Sequence, residues 1–196
     1  MTRLKGLGAD CVSTQRGGQT TYHGPGQIVG YPLLDLGRTS PPMGIRDYIC
    51  RLQKTLEIHL LEGHNIQHIP SEHTGVFLDA HTKVASIGVQ VRHRLTTHGF
   101  AINVTEKPLA WFDRVVACGL TDVRAGCIAG AAKPETASSR VTVTGELPAL
   151  TSRFGRVFGR DMVELDVMAD GEVEEAIRAT EKDAIEAGTW PYTPVA

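Results

Sequence analysis

With 196 residues, 41% of them hydrophobic and 21% charged, the chain has the composition of one packed globular domain and not of a disordered segment. A formal charge of -2, a pI near 6.4 and the lack of any dense Lys/Arg block give no reason to expect nucleic acid or an anionic membrane as a partner. Cys11, Cys50, Cys118 and Cys127 form no C-x-x-C pair and follow no secretory signal, so they read as reduced thiols; no apolar run approaches the roughly 20 residues of a membrane span, so the chain reads as soluble.

Met1 to Asp10 offers neither an amphipathic helix nor a strand and reads like the middle of a domain. A turn-rich stretch, Arg16 to Gln27, feeds the apolar run Ile28 to Leu36, whose Ile, Val, Tyr and Leu suit a buried strand. After Thr39-Ser40-Pro41-Pro42, the spacing of Ile45, Ile49, Leu52, Leu56 and Leu60 predicts an amphipathic helix over 45–61, with Lys54 and Glu57 outside. Gly75 to Leu78, Val84 to Val91 and Thr97 to Val104 are short β-branched runs separated by turn residues, the pattern of an antiparallel meander. Ala129 to Ser139 is rich in small residues and predicts a mobile loop. A second helix follows Pro148-Ala149-Leu150 with Leu150, Phe154, Val157 and Phe158 on one face, and Gly171 to Gly188 is weakly helical and loosely docked. These elements give an α/β (α+β) single domain, a mixed and largely antiparallel sheet with packed helices, over 1–165, and a tail over 166–196.

The segment Arg16-Gly17-Gly18-Gln19-Thr20-Thr21-Tyr22-His23-Gly24-Pro25-Gly26-Gln27 packs four glycines beside Arg, His, Tyr, Gln and two Thr. Glycine lets backbone approach a ligand and present its N–H groups, while the polar side chains orient a carbonyl or phosphate; a tight structural turn is the competing reading. Gly24-Pro25-Gly26 is followed by Val29 where a dinucleotide fingerprint has glycine, and no Gly-Lys-Ser/Thr ending is present. His59, His64, His68 and His73 invite a metal reading, but no acid or Cys is spaced with them as a ligand set, and Gly63 and Pro70 interrupt any one helix that would carry all four. No metal and no cofactor is therefore expected.

The Arg16 to Gln27 segment resembles the signature of the lipoyl(octanoyl) transferase family. Three further blocks resemble it in the same order: Lys83-Val84-Ala85-Ser86-Ile87-Gly88, Thr97-His98-Gly99-Phe100-Ala101-Ile102-Asn103-Val104, and Ala117-Cys118-Gly119-Leu120. The likeness runs from about Gly8 to about Leu120 and thins beyond. It implies the catalytic fold of biotin and lipoate protein ligases. It also implies transfer of an octanoyl group from octanoyl-acyl-carrier protein to a lysine of lipoyl domains, those of 2-oxoacid dehydrogenases and the glycine cleavage H protein. Members carry a longer stretch ahead of the first block, whereas this chain starts fifteen residues before Arg16, so the amino-terminal part is expected to be missing and the pocket to have an open side. The later blocks look closest to eukaryotic versions, which implies a mitochondrial home, or the cytoplasm if the chain is bacterial.

By the same resemblance Cys118 is the nucleophile and Lys83 its partner, and the pocket is lined by Arg16, Gly17, Gly18, Gln19, Thr20, Thr21, Tyr22 and His23, by Ser86, Ile87 and Gly88, and by Gly99, Phe100 and Ala101. His23 and His98, each beside glycine in a family block, are expected to hydrogen-bond substrate carbonyls, a packed structural His being the alternative. The chemistry fits independently. Attack of a thiolate on a thioester exchanges two thioesters of similar energy, and a lysine amine then takes the acyl group downhill into an amide. An ordinary Cys has a pKa of about 8.5, and lowering it by one or two, at about 1.4 kcal/mol for each, makes the thiolate fully available near neutral pH. A unit charge about 4 Å away at an effective dielectric near 20 supplies roughly 4 kcal/mol, enough for that purpose. Cys11, Cys50 and Cys127 have no such context and are expected to be inert. Two other functions compete: an ATP-dependent lipoate or biotin protein ligase, and a non-catalytic remnant that binds carrier protein.

Overall fold

In the computed structural model, residues 6, 8–114, 122–132 and 141–188 are described. β-Branched and aromatic residues build the meander expected from the sequence: β2 (Val76–Asp79), β3 (Thr82–Arg92) and β4 (Leu95–Asn103), paired antiparallel in chain order. His93 and Arg94, with φ of 50° and 69°, form the tight turn between β3 and β4, whose left-handed backbone matches the twist of the strands it joins. β1 (Gln27–Gly30) adds to β4 in antiparallel register, Gln27 opposite Asn103 and Gly30 opposite Phe100. The sheet order is β1-β4-β3-β2, and the two residues of β5 (Arg124–Ala125) pair in parallel with Thr82 and Lys83, beyond the last β3–β4 pair at Ala85 and Ile102.

The apolar run 28–36 is not one strand. Pro32 has no N–H to continue the ladder, and its carbonyl instead accepts from Thr96 Oγ1 (2.8 Å) and Tyr48 Oη (3.2 Å). The chain returns to β4 only at Leu34, whose N–H donates to Thr96 Oγ1 and whose carbonyl accepts from Thr96 N–H, before the turn of 3₁₀ helix at Leu36–Arg38.

α1 (Ile45–His64) covers one face of the sheet with Tyr48, Leu52, Thr55, Leu56, His59 and Leu60 buried. Its buried stripe is rotated from the one expected, so that Ile45 is half exposed, and the helix runs through Gly63 to end at Asn65 in the left-handed conformation. α2 (Leu109–Phe112) and α3 (Ile128–Ala131) are single turns. α3 takes up the start of the expected loop 129–139, of which 133–139 lie outside the described residues.

α4 (Val143–Phe158) begins earlier than Pro148 suggests. Thr142 Oγ1 caps it by accepting from Gly145 N–H at 3.1 Å, and Pro148 is accommodated in the second turn. Leu150, Phe154, Val157 and Phe158 pack toward α1, with Phe154 stacked on Phe158 and Tyr48 edge-on to Phe158. α5 (Glu172–Ala187) buries no residue.

Candidate functional site

The Gly-rich loop lies on the sheet face opposite α1. Alternation along β3 and β4 puts Ala85, Ile87, Val89, Phe100 and Ile102 on the α1 side, where they pack into the core. Ser86, Gly88, Gly99 and Ala101, paired Ser86 with Ala101 and Gly88 with Gly99, occupy the other side as a floor of small residues. The loop is seated on that floor: Gly17 N–H donates to the Val89 carbonyl at 2.9 Å, and a Cβ on Gly88 would meet Gly17 O at 2.9 Å and Arg16 Cδ at 3.1 Å. Of the residues expected to line a pocket, Ile87 and Phe100 thus belong to the core face, and Ser86, Gly88, Gly99 and Ala101 to the face that the loop covers. Gly17, Gly18, Gln19 and Thr20 are exposed.

A buried amide pair holds the loop in shape. Gln27 Oε1 accepts from Gly24 N–H (3.1 Å), and its Nε2 donates to the Tyr22 carbonyl (3.3 Å) and to Asn103 Oδ1 (2.7 Å). Asn103 Nδ2 donates to the Gly126 carbonyl (2.8 Å), and Gly126 N–H donates to the Lys83 carbonyl (2.9 Å). Hydrogen bonds therefore run from the Gly-rich loop through the sheet to the backbone of Lys83. Gln27 and Asn103 lie within recognisable sequence blocks, yet only their burial reveals this role.

Tyr22 is held from two sides. Its ring stacks on Trp111 (centroids 5.3 Å, planes 11° apart) with Phe112 edge-on at 5.9 Å, and its phenol crosses Gly24 so closely that a Cβ there would collide with it. Burial raises the phenol pKa above its ordinary value. Nothing in the sequence marks Trp111 and Phe112 as neighbours of the loop.

Lys83 stands at the start of β3 opposite Phe77, its ammonium 5.3 Å from the Phe77 ring centroid. Its stem passes Gly75, which has a φ of 127° and where a Cβ would meet Lys83 Cε and the Ala85 carbonyl at 2.5 Å each. Cys118 lies outside the described residues, in the stretch 115–121 between α2 and β5. His23, Arg16 and His98 come near enough to interact. His23 is exposed at its edge, and partial desolvation lowers its pKa; a hydrogen bond that it donates to Gln27 opposes this, and Arg16 and His98 reinforce the lowering. His98 itself adopts a left-handed backbone, φ 60°.

Cys127 is buried and its Sγ accepts from Gly130 N–H at the start of α3; burial pushes the thiol pKa up, which favours the protonated form. Cys11 is half-buried and Cys50 exposed on α1.

Away from the loop, His59, His64 and Glu146 gather their ligand atoms within 4.8 Å of one another. The acid that no local spacing supplied comes from α4, and α1 carries both histidines despite Gly63. The donor types suit a divalent ion, but the hydrogen bonding does not. Arg153, always a donor, approaches His59 Nδ1 at 3.3 Å, so that nitrogen must be unprotonated and Nε2 carries the proton. Nε2 then faces Glu146 Oε2 at 3.1 Å, at a poor angle, while His64 Nε2 meets the same oxygen at 2.9 Å. The His64–Glu146 hydrogen bond is a clasp between α1 and α4, with His59 held beside it by Arg153.

Residues 1–141 match the lipoyl protein ligase A/B catalytic domain. Among curated relatives, the octanoyltransferase of Koribacter versatilis is 32% identical over 174 residues, covering 83% of this chain and 63% of the relative. The mitochondrial octanoyl-[acyl-carrier-protein]:protein N-octanoyltransferase of Danio rerio is 41% identical over 118 residues, 60% of this chain and 50% of the relative. The chain thus spans between half and two thirds of the length of these relatives. Two solved structures share its fold at low identity. Lipoate-protein ligase A bound with ATP has a TM-score of 0.56 at 16% identity, covering 86% of this chain and 66% of that one. A putative lipoate protein ligase from T. acidophilum with bound lipoic acid has a TM-score of 0.53 at 17% identity, covering 86% and 65%. The mixed, largely antiparallel sheet with packed helices is the fold of these ligases, and the chain belongs to the lipoyl protein ligase A/B catalytic domain family.

Proposed function

We propose that this chain is the catalytic part of an octanoyltransferase, moving an octanoyl group from an acyl-carrier thioester to a lysine of a lipoyl domain through a Cys118 thioester. The observation that carries the reading is the seating of the Gly-rich loop on Gly88, in the strand near whose start Lys83 stands, in a chain whose curated relatives are octanoyltransferases. Residues 1–165 form the catalytic unit, and the exposed α5 lies outside it.

The Cys118 thiolate attacks the donor carbonyl, the carrier thiol leaves with a proton, and the acyl group rests on sulfur. The acceptor lysine, as its neutral amine, then attacks the Cys118 thioester. Nitrogen gains the acyl group and gives up a proton, and the thiolate departs. Lys83 serves as the cationic partner of the thiolate and as the group that moves the proton. Backbone N–H groups near Gly18 and Gly88, together with His23, steady the carbonyl oxygen. The apolar chain lies along the edge of the Gly-rich loop, beside the small residues of β3 and β4 on which that loop is seated. The relatives from Danio rerio and Xenopus tropicalis are mitochondrial by name and others are bacterial, and the eukaryotic character of the blocks favours a mitochondrial home.

The test is a transfer assay with octanoyl-carrier thioester and a lipoyl domain, with and without ATP, followed by intact mass of the acceptor. ATP-independent octanoylation that is lost in Lys83→Met supports the reading. Modification from free octanoate and ATP identifies a ligase instead. No transfer by folded protein identifies a non-catalytic remnant.

A further inference from the structure

We infer that Trp111 is a positioning residue for substrate binding: its indole is the platform that fixes Tyr22 and, through it, the shape of the Gly-rich loop. This inference rests on the proposed transferase reading, which puts the acyl donor beside that loop.

Three observations converge. First, among the described residues the segment 16–23 makes one backbone hydrogen bond to the sheet, Gly17 to Val89, and takes one side-chain hydrogen bond from Gln27 at the Tyr22 carbonyl, while four consecutive residues, 17–20, are exposed, so a side-chain anchor adds to the hold on the loop. Second, Tyr22 provides that anchor and Trp111 is what it stands on. The rings are nearly parallel at 5.3 Å, Phe112 closes the edge, and Gly24 leaves the opposite side open to the phenol. Third, Trp111 itself is fixed. It is 2% exposed, and its backbone N–H donates to the Pro108 carbonyl. Pro108 in turn lies against Gly26, whose carbonyl accepts from both Val104 and Thr105 N–H. The platform is thus built into the same corner that ends β4 and starts β1.

Trp111 Nε1 is buried with no hydrogen-bond partner among the described residues. Replacing Trp111 by Phe therefore keeps an aromatic face and removes no hydrogen bond, whereas Leu keeps apolar volume and loses the face.

The experiment compares wild type, Trp111→Phe, Trp111→Leu, Tyr22→Leu and the double Leu variant. Amide exchange of residues 16–24 is read by mass spectrometry, and KM and kcat are measured with octanoyl-carrier thioester. The expected result is exchange at least tenfold faster in both Leu variants, KM for the donor raised about tenfold with kcat within threefold, and Trp111→Phe within threefold of wild type. The double variant should be no worse than either single one, because both act through one contact. Unchanged exchange in Trp111→Leu, or effects of the two Leu substitutions that multiply, would overturn the inference. If wild type transfers no octanoyl group, the transferase reading fails, and the exchange arm still decides whether Trp111 orders the loop.

Discussion

Protonation of the clasp between α1 and α4 should make this fold lose stability in mild acid. His59 is fully buried, and its pKa is lowered from 6.5 to about 4, chiefly by burial; Glu146 opposes the change, while Arg153 and His64 reinforce it. The groups that face it are His64 from α1, and Glu146 and Arg153 from α4, with Glu62 of α1 paired to Arg153 at 3.3 Å. Between these two values the unfolded chain binds a proton at His59 and the folded chain does not. Stability supplied by the neutral imidazole is therefore complete above about pH 6.5 and lost as the pH falls toward 4. A gap of about two and a half pH units corresponds to roughly 3 kcal/mol, a large part of an ordinary domain's stability. Urea unfolding of wild type and His59→Gln at pH 7.5, 6.0, 5.0 and 4.5 measures it, since glutamine can donate and accept but does not titrate. Wild type should lose on the order of 2–3 kcal/mol more than the variant across this range. Two parallel curves would refute the reasoning.

Three other outcomes follow from the packing. Gln27→Ala strips partners from Gly24 N–H, the Tyr22 carbonyl and Asn103 Oδ1; at about 1–3 kcal/mol for a buried group left unpaired, it should lower stability by about 2–4 kcal/mol, readable as a fall in Tm. Gly88→Val should lift the loop from β3, because its Cβ meets Gly17 O at 2.9 Å; octanoyl transfer should fall at least tenfold while far-UV circular dichroism is unchanged. A chain ending at Asp170 should unfold within about 1 kcal/mol of the full chain, since α5 buries no residue; a larger loss in urea melts would show that the tail is part of the core.

Much of this architecture is legible in the sequence wherever a single local rule decides. The period of Leu52, Leu56 and Leu60 marks α1, and β-branched runs bounded by turns mark β2 to β4. Features set by distant partners are not legible. Pro32 stops a strand that hydropathy alone would extend to Leu36, and Thr142 starts a helix that Pro148 would seem to forbid. Glu146 joins His59 and His64 from 82 residues beyond His64, a spacing no local motif reports. At the site, residue types mark Arg16 to His23 as a candidate binding loop, but not that Ile87 and Phe100 face the core, which requires the register of β3 with β4. Trp111 carries no motif of its own and becomes visible only through its stack with Tyr22.

The central claim is that an acyl group rests on Cys118. Incubation of the protein with octanoyl-carrier thioester, without acceptor, and measurement of intact mass and of the peptide containing residue 118 test it most directly, with Cys118→Ala as the control. The account predicts a gain of one octanoyl group on Cys118 that is absent from Cys118→Ala and is discharged when a lipoyl domain is added. Folded wild-type protein that gains no octanoyl group, or that gains it equally in Cys118→Ala, would contradict it.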